Sequence, residues 1–199
     1  MNRGPGLRSH AEGREPEETF WALASAFVVL LVLALARPAL AGDFRLGIGG
    51  GATFVTGNYA DTYKSGWNGT VRALWLASSA PVGVRGAGSY GQDAPKSSDV
   101  SGTPIGNSAL YGVDVSAAVR LVGQGADGLH VNLGIGFRSL RQKIQTPSVG
   151  TVTRTDSNIS YNVGAGFSTS RLFVEAEAVY FKVKGTSLVS IPVTVGLQF

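Results

Sequence analysis

The chain has 199 residues, 44% hydrophobic and 15% charged, with a formal charge of +4, two histidines and no cysteine. That composition suits one packed domain, excludes a disordered chain and removes disulfides, zinc–thiolate sites and thiol nucleophiles. The basic residues are scattered rather than clustered beside stacking aromatics, so nucleic acid is not an expected partner, and the 28 glycines follow no G-X-Y period.

The first element is an uncharged apolar run from Phe20 to Ala36, preceded by arginines at 3, 8 and 14 and followed by Arg37-Pro38-Ala39-Leu40-Ala41. Pro38 ends a helix where a small-x-small site begins, so residues 1–41 read as a helical signal peptide cleaved after Ala41, leaving residues 42–199. The leading region is long and holds Glu12, Glu15, Glu17 and Glu18, and the apolar run approaches spanning length, so an uncleaved inner-membrane anchor is the alternative.

From residue 42 onward, eight segments alternate with one apolar face, and none demands a helix. Residues 43–55 put Phe44, Leu46, Ile48, Ala52 and Phe54 on that face; 66–77 put Trp67, Val71, Ala73, Trp75 and Ala77; 82–91 put Val84 and Tyr90. The fourth, 108–121, alternates for a full membrane-strand length, with Ala109, Tyr111, Val113, Val115, Ala117, Val119 and Leu121 against Ser108, Gly112, Asp114, Ser116 and Arg120. Residues 128–140 and 158–168 share a pattern, Asn132-Leu-Gly134-Ile-Gly136-Phe137 and Asn162-Val-Gly164-Ala-Gly166-Phe167, whose glycines fall on the polar face and leave room in a tight interior. Residues 172–182 show Leu172, Val174, Ala176, Ala178 and Tyr180, and 189–199 alternate to a terminal phenylalanine, with Pro192 on the polar face.

Connections at 56–65, 92–107 and 141–157 are long and those at 78–81, 122–127 and 169–171 short, the asymmetry of outer-membrane barrels with short periplasmic turns. With that orientation Phe44, Trp75, Phe167 and Phe199 fall at periplasmic strand ends and Phe54, Trp67, Tyr90, Tyr111, Phe137, Tyr161 and Tyr180 at outer ends, forming two aromatic belts. The expected fold is all-β, an eight-stranded antiparallel up-and-down transmembrane barrel in which 189–199 closes against 43–55 and removes both edges.

Across residues 42–199 the chain resembles the small eight-stranded outer-membrane barrels, the opacity-protein and porin-like β-barrel domain family. The resemblance rests on the eight strands, the belts and the V-x-V-G-L-Q-F ending. It implies residence in the bacterial outer membrane and insertion by the barrel-assembly machinery, which would read Val195, Leu197 and Phe199 as an assembly signal.

On the inward faces lie Arg45, Arg72, Arg85, Asp114, Arg120, Arg138, Glu175 and Glu177, expected to neutralise one another as an internal charge network, because eight strands leave little room for a channel. A conductance gate is the competing use. His130 also points inward but lacks a serine partner, since Ser139 is remote in register, so no catalytic residue, cofactor or metal is expected. Gly47-x-Gly49-x-x-Ala52 lacks the helix a dinucleotide site requires, and the sequons at Asn68 and Asn158 are discounted. Arg141, Lys143, Arg154, Lys182 and Lys184 collect at one side of the outer rim, read first as solvated charges beside the interface and alternatively as partners of lipopolysaccharide phosphates. The functional expectation is a non-enzymatic, monomeric envelope or surface-interaction barrel contacting outer-membrane lipid and lipopolysaccharide. The alternatives are a narrow pore for small solutes and a periplasmic soluble ligand-binding barrel, which an inward charged face argues against.

Overall fold

Strands whose apolar side chains face one way must put that face against an apolar phase, and in this chain the phase lies outside the protein. The computed structural model describes residues 42–57, 60–61, 63–96, 105–146, 150–183 and 186–199. Eight strands, β1 (Gly42–Thr56), β2 (Gly66–Ala77), β3 (Val82–Asp93), β4 (Ile105–Val122), β5 (Gly128–Thr146), β6 (Gly150–Ser168), β7 (Leu172–Val183) and β8 (Thr186–Gln198), pair antiparallel in chain order and close into a barrel. Closure runs from Gly47 opposite Gln198 to Thr56 opposite Val189, and Phe199 continues it by exchanging backbone hydrogen bonds with Leu46 at 2.8 and 3.0 Å. Ile48, Val71, Val115, Leu133, Ile135, Ile159 and Val163 all point outward and are exposed, Leu133 at 68%. Eight strands enclose only their own side chains, so the apolar surface is the lipid-facing one.

A transmembrane strand needs roughly 9–11 residues. β5 and β6 have 19 each and pair along their whole length, from Gly128 opposite Ser168 to Thr146 opposite Gly150. The connection expected as a loop over residues 141–157 is therefore mostly a hairpin standing beyond the barrel. Its sequence did not read as strand because Thr151-Val-Thr-Arg-Thr-Asp-Ser157 carries β-formers without an apolar side. Lys184, the centre of the loop at residues 97–104 and the leader at residues 1–41 lie outside the described residues.

Pro192 takes its place at a gap. The β7–β8 ladder pairs Leu172 through Ala176 with Leu197 through Val193 and resumes at Val179 opposite Ser190, while Pro192 keeps its pairing with Thr53 of β1. A residue without an N–H fits where one ladder lapses.

The lumen is filled in three layers. At the outer end Tyr63, Leu140, Val179, Phe181 and Leu188 form an apolar plug, with Val55, Leu110 and Val183 against it. Tyr63 comes from the β1–β2 connection, which is held down by a bridge between Tyr63 and Pro95 and by the Lys64 amide donating to the Ala94 carbonyl at 2.9 Å. Burial raises the Tyr63 phenol above its ordinary value, a hydrogen bond from Gln142 at 3.1 Å opposing the shift only in part. At the periplasmic end Leu74, Leu76, Ala118 and Ala126 make a second apolar layer. Ala126 enters it because the β4–β5 turn folds under the barrel, with Gly123, Gly125 and Gly128 at φ of 110°, 58° and 109°, conformations that favour glycine. Between the two layers the interior is polar.

Candidate functional site

The polar layer is built around Arg85 of β3, 2% exposed. Its Nε lies 2.8 Å from Glu175 Oε1 and its Nη2 donates to Glu175 Oε2 at 2.9 Å, a two-pronged contact across the lumen to β7. Nη1 donates to Asp114 Oδ1 on β4 at 2.6 Å and stands 3.4 Å from Glu177 Oε1. Arg138 of β5 donates to Asp114 Oδ2 at 2.9 Å and to the Ser89 hydroxyl. Arg72 of β2 stands 3.5 Å from Glu175 Oε1, donates to Ser168 at 2.9 Å and to Gln198 Oε1 at 2.7 Å, and lies 3.7 Å above the Phe173 ring. Three guanidiniums thus meet three carboxylates. The cluster is neutral as a set, which is the condition for keeping ions in a dry interior.

Asparagines complete it through the two repeated segments. Asn132 of β5 lies opposite Gly164 of β6, and Gly134 opposite Asn162, so each asparagine projects over the other strand's glycine. A methyl group on Gly134 would sit 2.7 Å from Asn162 Oδ1, and one on Gly164 would sit 2.9 Å from Asn132 Oδ1. In the room this leaves, Asn132 donates to Glu175 at 3.3 Å and Asn162 to Glu177 at 2.5 Å and Ser116 at 3.0 Å. Gly166 similarly admits His130, whose Nε2 stands 3.7 Å from Glu175 Oε1.

Arg45 and Arg120 depart from the expected network. Both sit near periplasmic strand ends, Arg45 opposite Leu74, and serve the turn that closes that end. Arg45 donates to Asp43 at 3.1 Å and stands 4.0 Å from Asp127, Asp43 accepts the Ala126 amide at 3.0 Å, and Arg120 donates to the Gly125 carbonyl at 2.5 Å. The other six residues, Arg72, Arg85, Asp114, Arg138, Glu175 and Glu177, come together. Sequence reading missed His130, Asn132, Asn162, Ser116, Ser168 and Gln198 as members. Their inward phase and polarity were the available signal.

A cavity of about 20 Å³ adjoins the cluster, lined by Thr70, Arg85, Asp114, Glu177, Pro192 and Thr194 among others. That holds about one water and no solute. Ser139 hydrogen-bonds Ser157 at 2.7 Å on β6, nine residues along β5 from His130, so the two do not form a nucleophile and base.

The belt aromatics lie on the outward face. Phe44 is opposite Trp75, Tyr90 opposite Tyr111, and Tyr161 opposite both Ile135 and Tyr180, while the Trp67 and Tyr90 rings lie 5.5 Å apart. Phe54, Phe167 and Phe199 are exposed outward, and Phe137 neighbours Val113 and Ile159. Of the rim cations, Arg141, Lys143 and Lys182 are exposed on outward phases, whereas Arg154 is on an inward phase and paired with Asp156 at 2.7 Å.

A model of the outer membrane protein beta-barrel domain family matches residues 26–199. Among solved structures, the attachment invasion locus protein Ail of Yersinia pestis, in complex with the heparin analogue sucrose octasulfate, is similar with a TM-score of 0.59 and 15% identity, over 80% of this chain and 99% of that one. The N-terminal β-barrel domain of Pseudomonas aeruginosa OprF is similar with a TM-score of 0.53 and 15% identity, over 79% of this chain and 98% of that one. At such identities the likeness is one of fold. A comparison with curated proteins gives no match.

Proposed function

The chain belongs to the outer membrane protein β-barrel domain family and resides in the bacterial outer membrane, and on that premise we propose that it is a non-enzymatic barrel acting through its outer surface. The observation that carries this reading is the filling of the lumen by two apolar layers and a neutral ion cluster. A barrel whose described interior is filled by its own side chains acts through its outside: the lipid-facing wall, the outer connections and the projecting β5–β6 hairpin. The wall contacts membrane lipid and lipopolysaccharide. The hairpin, stiffened by continuous pairing, presents Thr, Ser and charged side chains to envelope or host components at low entropic cost. Every strand edge within the barrel wall is paired, which supports a monomer in the membrane.

Two further readings concern biogenesis. Residues 1–41 act as a signal peptide cleaved after Ala41, supported by the Pro38 break and the Ala39-Leu40-Ala41 site. Val195, Leu197 and the exposed Phe199 serve as the assembly signal for the barrel-assembly machinery, supported by their shared outward face at the closing strand.

Replacing the outer hairpin, residues 141–156, by a short turn tests the surface role. The shortened barrel is expected to insert and to keep heat-modifiable migration in detergent gels, while losing capture of envelope or host-surface components by intact cells. Capture at the full level without the hairpin and the other outer connections would leave only a structural role in the envelope.

A further inference from the structure

The charges of the barrel wall are sorted by face. Twelve charged side chains of the strands, Asp43, Arg45, Arg72, Arg85, Asp93, Asp114, Arg120, Arg138, Arg154, Asp156, Glu175 and Glu177, occupy inward phases. Three occupy outward phases: Arg141 and Lys143 on β5 and Lys182 on β7. All three are exposed, positive and at the outer end, and no carboxylate shares their face among the described strand residues.

Their height is fixed by register. Lys182 pairs with Ser187 of β8 and is two residues beyond Tyr180 of the outer belt, which lies opposite Tyr161. Arg141 lies opposite Thr155, four residues beyond Phe137, or about 13 Å along the strand. Lys143 is two residues further, opposite Thr153. Belt aromatics mark the level where acyl chains give way to headgroups. The cations therefore stand in the headgroup layer, facing sideways into the membrane rather than up into water. Between them β5 and β6 present the Ser139–Ser157 hydroxyl pair. Arg154, which shares the hairpin but faces the other way, is neutralised by Asp156.

We propose that Arg141, Lys143 and Lys182 form a binding site for the headgroup phosphates of an outer-leaflet glycolipid, at the β5–β7 sector of the wall. This deepens the proposed lipopolysaccharide contact by giving it a place, and it rests on that reading. Arg141 and Lys143 project from one strand on the same face and clamp one phosphate between them, the arginine able to donate two parallel hydrogen bonds. Lys182, two strands across and lower, takes a second. The apolar wall below, with Ile135, Ile159, Tyr161 and Tyr180, receives the acyl chains. Among the described strand residues every carboxylate that could repel such a headgroup is turned inward.

The test is titration of the refolded barrel in neutral detergent with diphosphorylated lipid A, read by native mass spectrometry. Dephosphorylated lipid A and phosphatidylcholine serve as separate arms, and the variants are R141Q/K143Q/K182Q and R154Q. A cation near an anionic lipid surface contributes about fivefold in binding, so the triple variant is expected to bind phosphorylated lipid A on the order of a hundredfold more weakly. R154Q should bind as the unmodified protein does. Equal binding of phosphorylated and dephosphorylated lipid A, or unchanged binding by the triple variant, overturns the proposal. Heat-modifiable migration confirms that each variant is folded, and it separates a failure of this site from a failure of the membrane barrel itself. Should the triple variant fail to fold, the single variant K182Q, expected to lose about fivefold, decides in its place.

Discussion

Replacing Arg85 with methionine removes the centre of the polar layer. Its guanidinium meets Asp114 at 2.6 Å, Glu175 at 2.8 Å and Glu177 at 3.4 Å, all nearly inaccessible to solvent. Afterwards three carboxylates face two guanidiniums: Arg138 still pairs Asp114 at 2.9 Å, but Glu175 keeps a single guanidinium, that of Arg72 at 3.5 Å, beside Asn132 and His130. Breaking a buried pair from one side costs about 3–5 kcal/mol, because a charge is left without compensation. Removing both partners costs less, since an apolar pair of similar volume often replaces a buried ion pair without loss. Arg85→Met is therefore expected to lower stability by about 4 kcal/mol, and Arg85→Met with Glu175→Met by about 2–3 kcal/mol less than the sum of the single losses. Urea unfolding in phosphatidylcholine vesicles, followed through the barrel tryptophans Trp67 and Trp75, measures all three variants. The loss should change little with added salt, as a buried pair is poorly screened. A loss below about 1 kcal/mol for Arg85→Met, with no coupling to Glu175, would refute the dry, paired interior and imply a hydrated lumen.

Tyr63 gives a pH dependence. Its phenol is held above the ordinary value of 10.0 by burial, so in alkali the unfolded chain gives up this proton before the folded one does. The stabilisation is fully present below about pH 10 and is lost as pH rises through the folded value; Tyr63→Phe should abolish this part of the alkaline loss while costing about 1 kcal/mol at neutral pH for the hydrogen bond from Gln142. Gly164→Ala puts a methyl 2.8 Å from the Ala176 carbonyl oxygen and 2.9 Å from Asn132 Oδ1, and about 1–3 kcal/mol should be lost in the same unfolding assay. Gly88→Ala meets nothing within 4 Å and should stay within about 0.5 kcal/mol; equal effects at the two positions would count against the interlock of β5 and β6. Deleting Phe199 removes two backbone hydrogen bonds with Leu46, about 1–3 kcal/mol, yet it should depress the folded fraction recovered from cell envelopes far more than the unfolding midpoint of barrels refolded in vitro. Parallel losses in both would assign Phe199 a purely structural part.

How much of this was legible follows from which phase each face meets. Lipid imposes one rule on the outward face, and the alternation of residues 108–121 or 189–199 states it openly, so strand number, closure and belts could be read directly. Beyond the acyl chains no such rule applies, and the outer half of the β5–β6 hairpin passed for a loop. The lumen imposes a rule that depends on what stands opposite, and opposite neighbours are remote in the chain: Arg85 and Glu175 are 90 residues apart. β7 shows the difficulty most clearly. Phe173, Val179 and Phe181 share the inward face with Glu175 and Glu177, so Leu172–Val183 is apolar on both faces and its glutamates alone give its phase.

The same dependence on height explains why Arg45 and Arg120 part from the other six residues. Inward phase placed all eight in the lumen, but an ion is neutralised by what lies at its own level, and level depends on strand stagger around the barrel. Arg72, Arg85, Arg138, Asp114, Glu175 and Glu177 share one level between two apolar layers, where any unpaired charge would be costly. Arg45, near Asp43 and Asp127, and Arg120, at the Gly125 carbonyl, stand at the rim, where water and backbone carbonyls share the task. A substitution at either is therefore expected to cost less than one at Arg85. Phase decides whether a charge enters the lumen; level decides whether it must be matched there.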